Sequence, residues 1–335
     1  MKRIWALFWA RNKEFIRDKS ALTWSFVFPI VLVIGIGMAF TGNQPIFKVA
    51  YMGETTQLSQ QASLLKAYPE IDFIQVSNWP KAKIRLEQHE YDLLLDLRQG
   101  NADYWINEAS DKSKFLDALM KSSPLKRQGL SSKNLRYVDW ILPGILAINM
   151  MYGALYGVGY VIVRYRKNGY LKRLQATPLT AFEFLTSQML SRLVISQCVM
   201  LVIFALCFAI LQPVIYGSLW LLLALSILGA FSLCSLGLLL CTRVASEEFS
   251  RGLLEMASWP MLLLSQAWFS LDSAHPSLQA ISKLLPLTYL IHGWREVMYY
   301  GATLKEVWGD LLFLGGFGFI TLLVAGKLFK WHLNR

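Results

Sequence analysis

Residues 193–242 read LVISQCVMLVIFALCFAILQPVIYGSLWLLLALSILGAFSLCSLGLLLCT, fifty residues without one Asp, Glu, Lys or Arg. An ionised side chain at the centre of a bilayer costs roughly 2.5–3.5 kcal/mol on insertion scales, so a run this long without charge marks a membrane segment. It is too long for one helix across a hydrocarbon core of about 30 Å. Gln212-Pro213 and Tyr216-Gly217-Ser218 break it, and the run is read as a hairpin of spans over 193–211 and 219–241.

Working outward, residues 20–47 are also uncharged and contain the apolar run Ala21 to Thr41, and residues 140–163 lie uncharged between Asp139 and Arg164. Two further runs, Met256 to Leu271 and Leu311 to Gly326, have 16 residues each. Each covers only about 24 Å, so both must borrow flanking residues or rely on snorkelling Lys and Arg; a buried helix of a soluble protein is the alternative reading for these two. The sum is six spans. The whole chain agrees: of 335 residues 55% are hydrophobic and only 16% charged, against roughly 25% charged in soluble domains.

The net charge of +11 taken alone suggests either a nucleic-acid binder or a membrane protein with basic flanks. Lys and Arg in the short loops decide. Six precede the first span, six lie in 164–192, two in 243–251 and three in the tail, seventeen against three on the other side between 272 and 309. The positive-inside bias therefore places both termini in the cytoplasm, and five spans would put the basic tail outside. The charges follow topology and form no continuous stripe for nucleic acid. The first twenty residues are charged throughout, so the first span is expected to be an uncleaved anchor. Before it, Ile4 to Trp9 mixed with Arg11, Lys13 and Arg17 suits a helix lying in the interface; a solvated helix is the alternative.

Residues 42–139 differ in character, with 13 basic and 12 acidic residues. Strand-like runs (47–52, 71–76, 91–97, 102–107) alternate with helix-like ones (57–67, 80–89, 112–121), which predicts a small extracytoplasmic α/β domain. His89, with Glu87, Glu90 and Asp92 nearby, is read as a solvated helix end. All four cysteines, Cys198, Cys207, Cys234 and Cys241, fall in the third and fourth spans and are read as packing residues. There is no Gly-x-x-x-x-Gly-Lys-Ser/Thr phosphate loop, no His-Glu-x-x-His, no Gly-x-Ser-x-Gly and no Cys-x-x-Cys. The expectation is a non-enzyme with no cofactor or metal of its own. Uncharged span centres also count against an ion-coupled transporter, Glu255 at the start of the fifth span being the one candidate exception.

The segment after the second span is the most ordered of the short loops. Gly169 permits a sharp turn, Leu171 and Leu174 share one side of a short helix, Thr177-Pro178 resets the chain, and Thr180 to Glu183 fits a capping box. This segment, together with Leu142-Pro143-Gly144 before it and Leu285-Pro286-Leu287-Thr288-Tyr289 with Arg295 and Gly301 after it, resembles the permease subunits of ABC transporters of the ABC-type-2 membrane family. The likeness covers essentially the whole chain. One departure is Tyr165-Arg166-Lys167-Asn168, where many members carry an acidic stretch; a basic surface here would prefer an acidic groove on the partner.

The resemblance implies a mainly α-helical polytopic membrane protein of six transmembrane helices: an interfacial helix and first span in 1–41, an extracytoplasmic α/β domain in 42–139, and a five-helix domain in 140–335. It implies an exporter subunit of the bacterial cytoplasmic membrane that pairs with a second permease, the same or a homologous chain, and with two separate ATPase subunits that bind the ATP and Mg. Loop 164–192 would couple to the ATPase, with Gly169, Leu171, Leu174, Thr177, Pro178, Phe182 and Leu185 as its turn and apolar core and Arg166, Lys167, Lys172 and Arg173 at the rim. An external re-entrant segment, 273–301, would present Pro286, Tyr289, Arg295 and Glu296. A drug, lipid or other amphipathic compound is the expected cargo. A membrane-anchored sensor acting through 42–139, or an integral-membrane enzyme, are the rival readings.

Overall fold

The computed structural model describes residues 2–19, 23, 25–27, 30–31, 47–53, 65, 68, 71–87, 91–98, 103–108, 110–121, 125–130, 137–211, 213, 215–268 and 275–331. The first span, the helix expected over 57–67, and His89 lie essentially outside these residues. The chain forms two compact units, Ala39–Tyr137 and Met1–Met38 with Val138–Arg335. The first element is helix α1 (Lys2–Arg17).

The insert is an α/β unit of β1 (Phe47–Met52), β2 (Ile71–Gln75), α2 (Trp79–Glu87), β3 (Leu93–Asp96), β4 (Asp103–Asn107), α3 (Asp111–Met120) and β5 (Lys126–Leu130). The strands lie in the order β2-β1-β3-β4-β5. β1 is parallel to both β2 and β3, and β4 is antiparallel to β3 and parallel to β5. Alternation along β1 sends Val49 and Tyr51 to a core with Leu116 and Met120 of α3, and Ala50 to a second core with Ala82 and Leu86 of α2. Both faces are thereby covered, which explains the unbroken apolar run Leu93 to Leu95. β5 was not expected from the sequence: Lys126, Arg127, Gln128 and Gly129 give it no apolar alternation, and it pairs at the edge of the sheet. Burial raises the pKa of the Tyr104 hydroxyl, and its bond to Asp117 raises it further, to about 12. Burial likewise raises Asp96, but bonds from Arg98 outweigh it and hold the carboxyl below its ordinary range.

The second unit continues with α4 (Tyr137–Ala154), a π-helical stretch (Leu155–Tyr160), α5 (Val161–Lys167), α6 (Tyr170–Gln175), α7 (Ala181–Leu211), α8 (Leu219–Cys241), α9 (Glu247–Leu264), α10 (Pro276–Ser282), α11 (Pro286–Tyr300) and α12 (Leu304–Leu328). Among the described residues four helical stretches are long and apolar enough to cross a membrane: Ile141–Lys167, Ala181–Ala209, Leu219–Cys241 and Leu304–Leu328.

Several boundaries depart from the sequence reading. Helix α4 begins before the second span, at Tyr137, and carries Pro143 inside it, near the start of the apolar stretch at Ile141. The third helix begins at 181 and not at 193, because Thr180 and Glu183 cap it: the Thr180 amide donates to Glu183 Oε2 at 2.9 Å and the Glu183 amide to Thr180 Oγ1 at 3.2 Å. Arg192, counted above as a loop charge, is therefore a helix residue. Helix α9 spans 247–264 where 256–271 was expected, and it carries Glu247, Glu248, Arg251 and Glu255 in its first half.

Cross-helix contacts set depth. Helices α8 and α12 run parallel, Gly318 lying against Phe231, Ser235 Oγ 2.6 Å from Thr321 Oγ1 and Arg243 against the Leu328 carbonyl. The end of α11 meets the 212–218 turn, where the Tyr216 amide donates to Met298 O at 2.9 Å, while Leu290 packs on Gly229. Gly229 is ten residues into α8, about 15 Å from its start. Helix α11 thus starts deep in the bundle and rises to the turn. Gly301, at φ 61°, reverses the chain into α12. Helix α9 runs back along the second helix: Tyr160 donates to Glu247 at 3.0 Å, Tyr156 to Glu255 at 2.8 Å, and Gly144 faces the Ala267 carbonyl.

Candidate functional site

The bundle end opposite the 212–218 turn carries an elbow between α5 and α7. Asn168 closes α5, Gly169 takes φ 68°, a region L side chains rarely adopt, and the Arg173 amide bonds back to Gly169 O at 3.2 Å to start α6. Thr177 Oγ1 donates to Leu174 O at 2.6 Å, and the capped start of α7 follows. Helix α7 has 31 residues, about 46 Å, so roughly its first ten residues exceed a 30 Å core. The elbow is therefore continuous with a rigid apolar rod.

The predicted residues divide by environment. Leu171 and Leu185 are buried, Leu174 is half-buried, and Lys172, Arg173, Thr177, Pro178 and Phe182 are exposed, Phe182 by 61%. Arg166 turns inward, donating to Thr242 O at 2.8 Å, Lys330 O at 3.0 Å and the Val244 carbonyl, where it caps the end of α8. Lys167 sits 3.5 Å from Glu247. Of the basic side chains in the elbow, Lys172 and Arg173 point outward from α6.

Helix α1 was not expected to touch this element, and it clips onto it. Arg3 donates to the Pro178 carbonyl, Ser191 Oγ to Asn12 Oδ1 at 2.9 Å, and Arg11 to Gly157 O at 3.0 Å in the π-helical stretch. Glu14 lies 2.7 Å from Arg164 and 2.9 Å from Arg11 and accepts from Tyr165. Burial raises the Glu14 carboxyl, but Tyr165 and the two arginines outweigh it and hold it below the usual carboxylate range. A cavity of about 520 Å³ opens beside these groups, with Tyr170 and Arg173 on its wall. The signal that could have revealed this was the i, i+3 pair Arg11 and Glu14 within an otherwise basic helix.

At the other end, Pro286 occupies the first turn of α11 and is buried. Tyr289 stacks on Phe313 at 3.8 Å and donates to Lys283 O at 2.9 Å. Arg295 donates to Ala267 O at 3.3 Å, and Glu296, buried, faces His292 at 3.8 Å, whose Nδ1 lies 2.9 Å from Asp310. Among the described residues no cluster of three or more His, Cys, Asp or Glu could hold a metal ion.

Four long apolar helices among the described residues are those of a multi-pass membrane protein. The family model described as ABC-2 family transporter protein matches residues 19–327, and the chain belongs to that family. It is an ABC transporter permease, a membrane component without an ATPase site of its own. Comparison with curated proteins finds no match.

Proposed function

We propose that the chain is the membrane-spanning subunit of an ABC exporter in the bacterial cytoplasmic membrane, working with a second permease and two ATPase subunits. The observation that carries this reading is the capped elbow Gly169 to Phe182, whose buried Leu171 and Leu185 anchor it while Lys172, Arg173, Pro178 and Phe182 face outward at the head of α7. Closure of the ATPases on ATP pushes this elbow, and α7 carries the push as a rod into the bundle. Six spans and cytoplasmic termini fit the geometry. Helix α9 and the residues that follow it pass from Glu247 beside Tyr160 to Ala267 beside Gly144, the depth of the second span, and Glu247 and Glu255 are held by Tyr160, Lys167 and Tyr156. Helix α11 then caps the external side. Amphipathic cargo suits apolar walls.

The test is co-purification. The tagged full chain should bring down an ATPase, and reversing Lys172→Glu with Arg173→Glu should weaken that association by roughly tenfold or more, as loss of charge complementarity at an interface does. Unchanged association and transport in the reversed chain would sink the coupling role. Recovery of no ATPase, with ligand binding confined to 42–139, would favour a sensor instead.

A further inference from the structure

Arg192 lies eleven residues into α7, about 16 Å from its start, where a helix of this length enters a 30 Å core. It is 9% exposed. Its Nε is buried with no hydrogen-bond partner, and among the described residues no carboxylate pairs with the guanidinium; its one described ring contact is Phe15, 5.7 Å from the guanidinium carbon. Of the two acids that line the same cavity, Glu14 is held by both Arg11 and Arg164, and among the described residues no ion pair joins Asp18 to Arg192. The sequence from Ser20 to Phe47 contains no Asp or Glu at all. A buried guanidinium without a counter-charge is costly.

The surroundings are cut to fit it. A Cβ at Gly157 would lie 2.3 Å from Arg192 Nε, and one at Gly153 would lie 2.6 Å from Nη2, so the facing wall is open only because both are glycine. The guanidinium borders a cavity of about 540 Å³ whose other walls include Phe15, Asn149, Tyr152 and Tyr156, with two further cations, Arg11 and Arg164, against two acids, Glu14 and Asp18. Polar groups that can donate a hydrogen bond thus stand beside an unpaired cation and an aromatic face.

We propose that Arg192 is the anion-binding residue of a pocket at the elbow-side boundary of the membrane core that takes the phosphate or carboxylate headgroup of an amphiphile. The guanidinium fork matches either headgroup with two parallel N–H donors, and Asn149 and Tyr152 complete its shell. The apolar tail runs along Phe15 and Val161, which line the same cavity. Binding does not depend on the exporter reading; that the pocket is an entry site for cargo rests on it.

The experiment uses the full chain in detergent without any ATPase, so a negative result leaves the exporter reading standing. Thermal unfolding and binding are measured with dioleoyl phosphatidic acid, oleate, dioleoyl phosphatidylcholine and inorganic phosphate. Phosphatidic acid or oleate should raise Tm, and phosphatidylcholine should not. Arg192→Met should keep or raise the Tm of the unliganded chain, since an unpaired charge is removed, and should weaken anion binding roughly tenfold or more. Arg192→Lys should bind with intermediate strength. Asn149→Leu, which fills the pocket and keeps the charge, should lose binding at unchanged Tm and stands in if the Arg192 variants fail to fold. Inorganic phosphate binding as tightly as phosphatidic acid overturns the amphiphile assignment. No binding of either anionic amphiphile, or an Arg192→Met chain that loses Tm yet binds them as wild type, overturns the site.

Discussion

The two ends of the helical bundle are held together by different physics. From the 212–218 end down to mid-bundle, backbone meets backbone and side chains interdigitate: Gly217 lies against Val297, Gly229 against Leu290, and Tyr289 against Phe313. At the elbow end, the joints are polar and part-exposed: Glu14 with Arg164, Arg11 with Gly157 O, Arg3 with Pro178 O, and the capping box of α7. Close packing has few alternative arrangements, whereas hydrogen-bonded clips on a hinge glycine can exchange partners at modest cost. In the proposed mechanism one end is the seal and the other the lever.

The largest effect expected from this contrast falls on the seal. A Cβ at Gly217 would stand 2.2 Å from the Val297 carbonyl oxygen, a backbone atom that cannot swing away. Gly217→Val should therefore cost about 3 kcal/mol or more, read as a Tm fall of several degrees for the purified chain or as loss of folded protein. A Gly217→Val chain with wild-type Tm would mean that the packed end is as pliable as the other.

An intermediate effect is expected at the lever. Glu14→Gln removes the shared acceptor of Arg11, Arg164 and Tyr165, and because Glu14 is itself about 38% exposed the loss should be ~1 kcal/mol or less. The folded-state pKa of Glu14 is lowered, so its contribution is fully present above the ordinary Glu value of about 4.3 and fades as pH falls through the lowered folded value. Exchange protection of the α1 amides in the wild-type chain, taken relative to the intrinsic rate at each pH, should fall only in that acid range, and in Glu14→Gln it should be lower at neutral pH with no such onset. Identical exchange in the two chains would dissolve the clip.

What could be read in advance follows the same division. The hairpin 193–241 was legible because absence of charge over fifty residues has one physical cause, and α8 falls over 219–241 as expected. The capping box at Thr180 and Glu183 was legible because it is a local pattern, yet its consequence, a helix that runs unbroken through Arg192, was not drawn: loop charges and helix charges look alike in a count. Helix α9 was misplaced because its acids find partners only across the bundle, on Tyr156 and Tyr160, and long-range partners leave no mark in spacing. The clip of α1 was missed for the same reason. In the insert, β5 was missed because an edge strand needs no apolar alternation.

The smallest effect on stability is expected where the proposed function is most exposed. Phe182 sits in the first turn of α7 with its ring 61% accessible, and nothing in the fold depends on covering it, so Phe182→Ser should change stability by about 0.5 kcal/mol or less. A large aromatic left in the open beside Lys172, Arg173 and Pro178 has the composition of an interface anchor, for which truncation often costs more than 1 kcal/mol of binding. Phe182→Ser should accordingly leave Tm in place while weakening recovery of the ATPase severalfold. The opposite pattern, a destabilised chain that still retains its ATPase, would place Phe182 in the packing of the elbow and return the lever to the side of the seal.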